Sequence, residues 1–367
     1  MNKLLLITIA IIVLLFGCTG KKENTFSIPY DKFTKPAENP ILKADSTFTF
    51  FCPMKKDTVR WQRADVFNPA AIVQNGKIML LYRCEDNPAA HLGGRTSRIG
   101  LAESSDGIHF KKHHVPVLYP SQDEWAQYDA PGGCEDPRVV VTEDGTYIMA
   151  YTSWNYKTPR LSIAFSKNLT QWEKKGPAFA KAYNGKFKDM ASKSASIITK
   201  RSGDTMVAAK INGRYWMYWG ELGVNLAWSE NGYDWYPELN DTGALKYLII
   251  PRKGKFDSNL TECGPPALIT SEGVTLIYNG KNHDLSENAT PDLPPGTYST
   301  GRVVFDPKDL RTVISRSEKP FLYPTLPHET KGQYKAGTTF SEGLVFFEGK
   351  WFIYYGTADS FVGVVVR

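Results

Sequence analysis

Three carboxylates stand at matching edges of a repeated strand unit: Asp136 in Cys134-Glu135-Asp136-Pro137-Arg138, Glu221 in Trp219-Gly220-Glu221, and Glu262 in Glu262-Cys263-Gly264-Pro265-Pro266. Cleaving a glycosidic bond needs an acid to protonate the leaving oxygen and a base to activate water, so acids converging on one cleft point to that chemistry. Beside other apolar strands of the repeat stand Asn68 and Arg83, Glu135 and Arg138, Lys193, and Asp359. Unpaired charge is costly to bury, so such a set is either a paired network or a site.

These residues need a scaffold that brings distant strands to one mouth, and the chain repeats in a way that supplies one. Ala102-Glu103-Ser104-Ser105-Asp106-Gly107 leads to Phe110, Ala164-Phe165-Ser166-Lys167-Asn168-Leu169 to Trp172, and Ala227-Trp228-Ser229-Glu230-Asn231-Gly232 to Trp235. Asp106, Asn168 and Asn231 fall 62 and 63 positions apart. Asp-Gly and Asn-Gly between β-rich flanks signal hairpin turns, which demand positive φ.

A second element, strand, Gly-containing turn, strand ending in an aromatic, runs from Asn68-Pro69 to Tyr82. It recurs from Asp136-Pro137 to Tyr151, from Pro265-Pro266 to Tyr278 and from Ser341-Glu342 to Tyr354, with a looser copy from Lys193 to Tyr218. About five such units fit the chain, and four-stranded units at this period are propeller blades. No long amphipathic helical pattern interrupts them. The expectation is an all-β, five-bladed β-propeller spanning 26–367 as one catalytic domain. Its inner strands deliver the charged set to a central funnel, and the segment from Phe26 to Trp61 adds an outer strand to the short last blade.

Hydrophobic residues make up 42% of the 367, ample for a large core, and the net charge of +6 is scattered without a basic run. That excludes global disorder and leaves no nucleic-acid footprint. Residues 1–18 read as an export signal: Lys3, an apolar stretch from Leu4 to Phe16, then Leu15-Phe16-Gly17-Cys18. The stretch is shorter than the ~20 residues of a bilayer span. It resembles the lipobox of a bacterial lipoprotein, with Cys18 lipidated, 19–25 a tether and the bacterial outer membrane the expected location. Cys52, Cys84, Cys134 and Cys263 remain, with no zinc-ligand spacing, and are read as free buried thiols. No metal or cofactor is expected.

Six motifs in order, Asn68-Pro69, Leu81-Tyr82-Arg83, Glu135-Asp136-Pro137-Arg138, Lys210-Ile211-Asn212-Gly213-Arg214-Tyr215, Gly264-Pro265-Pro266 and Tyr355-Gly356-Thr357-Ala358-Asp359, resemble glycoside hydrolase family 130. That family comprises β-mannoside phosphorylases and hydrolases on a five-bladed propeller. The resemblance implies that Asp136 is the general acid and that Asn68, Arg83, Arg138 and Asp359 bind the mannose undergoing cleavage. Glu135 is placed with this sugar-binding set, and Lys193 matches a position on the nucleophile-binding side.

One departure from the phosphorylase pattern is informative. Phosphorylases of the family carry a His-Arg pair where this chain has Gly220-Glu221, and they lack the acid found here at Glu262. Phosphate needs cationic donors, and a carboxylate in its pocket repels a dianion while it can deprotonate a water. The expectation is therefore the hydrolytic branch, cleaving a β-1,2-linked mannoside oligosaccharide with inversion. Asp136 gives its proton directly or through a substrate hydroxyl, and Glu221 and Glu262 position water on the opposite face, one or both acting as base, with one pKa raised by the other. The alternatives are a phosphorylase on the same scaffold, another five-bladed glycosidase, or a lipid-anchored glycan-binding protein.

Other features admit two readings each. His113-His114 resemble a metal pair, but neighbours on a strand point to opposite faces. His91 and His283 lie in loops that could touch sugar. Trp61, Trp125 and Trp154 could stack on sugar rings or pack the core. The proline-rich loop from Asn282 to Tyr298 is either a lid or an exposed excursion.

Overall fold

The computed structural model describes residues 26–91 and 93–367, so the expected export signal 1–18 with Cys18 and the whole of the expected tether 19–25 lie outside the described residues. The chain is all-β. Among the described residues the helical segments are single turns at Tyr30–Lys32, Ala126–Asp129 and Pro327–Glu329, and no helix there is long and apolar enough to cross a membrane.

Antiparallel units follow one another along the chain. The first comprises strands Asp65–Gln74, Lys77–Glu85, Ser97–Ser104 and Lys111–Lys112. The second comprises Gly133–Val141, Tyr147–Trp154, Arg160–Ser166 and Glu173–Pro177. A third is built on Ala195–Ile197, Arg214–Trp219, Val224–Ser229 and Tyr236–Pro237, and a fourth on Leu268–Thr270, Gly273–Lys281, Tyr298–Phe305 and Val313–Arg316, with Leu260–Cys263 alongside. The last is Phe340–Phe347, Lys350–Thr357 and Phe361–Val366. Single parallel bridges link strands of successive segments: Ser97 joins Gly133, and a hairpin of Thr199–Ser202 and Thr205–Ala208, which follows Ala195–Ile197 in the chain, joins Val141 through Val207 and Leu268 through Thr199.

The units pack face to face, which explains why their central strands are apolar almost without alternation. Every residue of Gly133–Val141 is buried. Tyr218 of the third unit stacks on Phe305 of the fourth at 4.3 Å between centroids. The last unit meets the first at Gly343, where a Cβ would lie 2.8 Å from that of Ala71. The segment expected to extend the last unit does lie along its edge. Thr34 bridges Val366 and Leu42 bridges Val362, and the Asn39 side chain donates to Val364 O at 2.8 Å.

The recurring Ser-x-Asx segments form the expected turns between antiparallel strands. Each is a six-residue connection, 105–110, 167–172 and 230–235. Its side chains replace ladder bonds: the Ser104, Ser166 and Ser229 hydroxyls accept the N–H of Gly107, Leu169 and Gly232, each at 2.9 Å. The Asx oxygens of Asp106, Asn168 and Asn231 accept the next amides. The predicted positive φ is present at the residue after the Asx, even where it is Leu169. Cys52, Cys84, Cys134 and Cys263 are buried and unpaired.

Candidate active site

The site depends on breaks in the inner strands. The pairing register shifts between Phe67 and Pro69, between Glu135 and Arg138, and between Ser341 and Gly343. Asn68 and Asp136 occupy the first two breaks with φ near +50°. Ser194, just before Ala195–Ile197, and Asp359, in the turn between Lys350–Thr357 and Phe361–Val366, share that left-handed backbone. A bulge re-aims a side chain out of the alternation of its strand. Here it turns Asn68 and Asp136 into one cleft, with a proline at each following position to fix the exit of the chain.

That cleft has a volume of about 440 Å³ and is walled by Asn68, Arg83, Glu135, Asp136, Lys193, Glu262 and Asp359, with Phe67, Trp154, Tyr298, Tyr334 and Phe340 as aromatic surfaces. A larger hollow of about 840 Å³ runs along Asp144, Trp172 and Tyr215 and contains none of the predicted site residues. Seven of the nine predicted residues therefore line one space. Glu221 stands at its rim, with a side chain 36% exposed, and is reached through Lys193, whose Nζ is 3.9 Å from Glu221 Oε2. Arg138 is turned away, with its guanidinium taken up by Glu342 and by backbone carbonyls.

Asp136 is held asymmetrically. Its Oδ1 accepts the Asn68 amide at 2.8 Å and Arg83 Nη1 at 3.2 Å, whereas Oδ2 has Lys193 Nζ at 3.9 Å. Burial pushes its pKa up, but Arg83, Lys193 and Arg138, with the Asn68 bond, outweigh burial and lower it to about 2. Glu135 shares Arg83 at 2.8 Å, and burial together with the neighbouring Asp136 charge raises it to about 7 against the pull of Arg83. Asp359 is likewise lifted by burial to about 6.

Across the cleft, Glu262 accepts the Ser194 hydroxyl. Burial, opposed by Lys193 and reinforced by Glu221, raises Glu262 to about 7, where a general base is useful at neutral pH. Lys193 is held above its usual range by Asp136, Glu262 and Glu221 despite burial, so it stays charged between the two sides. Through that one ammonium, Asp136 Oδ2 and Glu221 Oε2 are at most twice 3.9 Å apart. This stays within the upper bound of about 9.5 Å for inverting carboxylate pairs.

Several residues of the site lie outside the sequence expectation. Glu85 pairs with Arg83 at 2.7 Å, Ser194 bonds Glu262, and Glu342 sits fully buried behind Arg138. Of the tryptophans, Trp154 lines the cleft, while Trp61 is a core residue with no exposure. The loop from Asn282 is organised from within: the buried Asn282 amide donates to Thr290 O, Leu293 O and Pro294 O. Its far end is tied down where Tyr334 Oη donates to Gly296 O at 2.6 Å.

A profile of the family described as beta-1,4-mannooligosaccharide phosphorylase, glycoside hydrolase family 130, matches residues 32–367. A 1,2-beta-oligomannan phosphorylase from Thermoanaerobacter sp. (strain X514) is 33% identical over 318 residues, covering 85% of this chain and 93% of that protein. A candidate glycosidase structure from Bacteroides thetaiotaomicron VPI-5482 is 52% identical with a TM-score of 0.90, over 92% of this chain and 97% of that one. A third relative is 48% identical with a TM-score of 0.89, over 91% and 93% of the two chains. It was described in the statement that the GH130 family of mannoside phosphorylases contains glycoside hydrolases that target beta-1,2 mannosidic linkages in Candida mannan. With the profile extending from Lys32 to the last residue, the chain belongs to glycoside hydrolase family 130.

Proposed function

We propose that the protein is an inverting exo-β-mannosidase that hydrolyses β-1,2-linked mannosides by a single displacement with water. The observation that carries this reading is the pair of carboxylates opposite Asp136. Glu262, raised to about 7, lines the cleft, and Glu221 sits at the rim on the same lysine. A phosphate dianion entering there would meet two carboxylates, whereas a water would find an acceptor able to take its proton.

In this mechanism Oδ2 of Asp136 carries the proton to the glycosidic oxygen, because Oδ1 is committed to Asn68 and Arg83. The resting carboxyl is ionised. Sugar binding strips water from Oδ2 and adds to the burial that already pushes its pKa up, so the acid is loaded in the complex. Glu262 takes a proton from the attacking water, with Glu221 tuning it. Asn68, Arg83, Glu135 and Asp359 hold the sugar.

A second reading, phosphorolysis, draws on the buried Lys193 cation and on the phosphorylase relative. Turnover of β-1,2-mannobiose in phosphate-free buffer distinguishes the two. A rate unchanged by added phosphate supports hydrolysis, and a rate proportional to phosphate overturns it.

The scaffold belongs to the same proposal. We read the successive units as the blades of a five-bladed propeller forming one domain over 26–367, with 34–42 completing the last blade. The inter-unit bridges and the packing of Gly343 on the first unit support it. We also propose that residues 1–18 are removed and that lipidated Cys18 anchors the enzyme at the bacterial outer membrane. Incorporation of labelled fatty acid that is lost in Cys18→Ala tests the anchor.

A further inference from the structure

Arg138 and Glu342 sit behind the cleft, not in it, and their geometry connects its two sides. Arg138 Nη1 donates to Asp136 O at 3.0 Å, on the backbone of the acid. Nη2 donates to Cys263 O at 2.9 Å, next to Glu262, and Nε reaches Gly264 O at 3.4 Å. One guanidinium thus spans the backbone of the second unit and the strand that carries Glu262.

The fork is backed by Glu342 Oε1, 2.9 Å from Nη1. Glu342 has no exposed surface, and neither of its oxygens receives a well-directed hydrogen bond from another protein group. A carboxylate buried on such terms costs several kcal/mol, and hydrophobic replacement is often neutral or stabilising. Stability alone does not account for it. Glu342 is itself placed by a clamp, because Asn279 of the fourth unit accepts Ser341 N–H at 2.8 Å and donates to Ser341 O at 3.1 Å.

We propose that Arg138 and Glu342 form a strut that fixes the spacing between the acid Asp136 and the base Glu262, making both positioning residues and not sugar ligands. The inference rests on the catalytic reading above. Planar, bidentate Arg is suited to holding two carbonyls at a set distance, which a lysine point charge cannot do. Misplacing reacting groups by about 1 Å can cost about 100-fold in rate.

The test is steady-state kinetics of full-length mature protein on β-1,2-mannobiose, comparing wild type with Arg138→Lys and Glu342→Gln, rates being scaled to the folded fraction by circular dichroism. The strut predicts kcat lower by about 10–100-fold with KM within about threefold, and a shifted pH profile, in folded variants. Values of kcat within twofold of wild type in both variants overturn it. So does a loss that lies entirely in KM, which would make Arg138 a sugar ligand, and so does failure of both variants to fold, which would make the pair a stability element. Wild-type protein that turns over no mannoside, with or without phosphate, overturns the catalytic reading together with the strut, whereas normal wild-type turnover beside unaffected variants overturns the strut alone.

Discussion

Lys193 Nζ stands 3.9 Å from Asp136 Oδ2, the carboxylate oxygen that neither Asn68 nor Arg83 occupies. Together with Arg83, the stronger influence, the ammonium therefore holds the proposed acid ionised until substrate arrives, and it also lowers Glu262 across the cleft. Replacing it by the neutral Lys193→Gln lifts both carboxyls. The limb of the pH profile set by the base moves to higher pH, so kcat/KM falls more at pH 6 than at pH 8. A profile reduced in height but unmoved would show that Lys193 has no electrostatic role.

Glu262 makes a prediction of its own. Its folded pKa is raised to about 7, and a base works only when deprotonated. Activity should thus rise with pH through about 7 and be lost below it. Because the Glu221 charge contributes to the raised value, Glu221→Gln moves this limb to lower pH, while Glu262→Gln lowers kcat by about 10²–10⁴-fold. Profiles of the three proteins check the order of the shifts. If Glu221→Gln abolishes turnover and Glu262→Gln merely weakens it, the two roles are reversed.

Asp136→Asn removes the proton donor and keeps the Oδ1 acceptor for Asn68 and Arg83. We expect kcat on β-1,2-mannobiose to fall by about 10²–10⁴-fold. An aryl β-mannoside whose leaving group needs no protonation should lose much less. Equal losses on both substrates would mean that Asp136 binds sugar and donates no proton.

Gly356 is a steric requirement of the acid. A Cβ there would collide with Asn68 Oδ1, the amide that orients Asp136, although the backbone of Gly356 is open to any residue. Gly356→Ala should cost about 1–3 kcal/mol by overpacking and also lower kcat. Gly76→Ala is the control: its φ of +69° makes alanine strained, but nothing lies within 4 Å of the new methyl. It should cost about 1–2 kcal/mol with unchanged kcat. Denaturant unfolding and kinetics on the two variants separate these effects.

The charged residues flanking apolar strands are legible in the sequence, because few forces other than a site place Asn68, Asp136 and Glu262 against such strands. The bulges are not. Nothing local in Asn68-Pro69 or Asp136-Pro137 separates a strand start from a break that re-aims the side chain. Glu342 reads only as the start of a strand, although a charge one residue before Gly343 in an otherwise apolar run marks it out. The task of Arg138 is invisible locally because its partners, Cys263 and Glu342, arrive from units far along the chain. The aromatic wall of Tyr298, Tyr334 and Phe340 is hidden for the same reason. The tryptophans cannot be sorted by pattern, since Trp61 and Trp154 differ in burial and not in local sequence.

The most direct test follows anomeric protons by NMR as the mature protein acts on β-1,2-mannobiose, with and without phosphate. α-Mannose is expected as the first sugar released, at a rate indifferent to phosphate, if Asp136 and the Glu221–Glu262 pair act on opposite faces of the bond. Mannose 1-phosphate formed only when phosphate is present, or β-mannose appearing first, would contradict it.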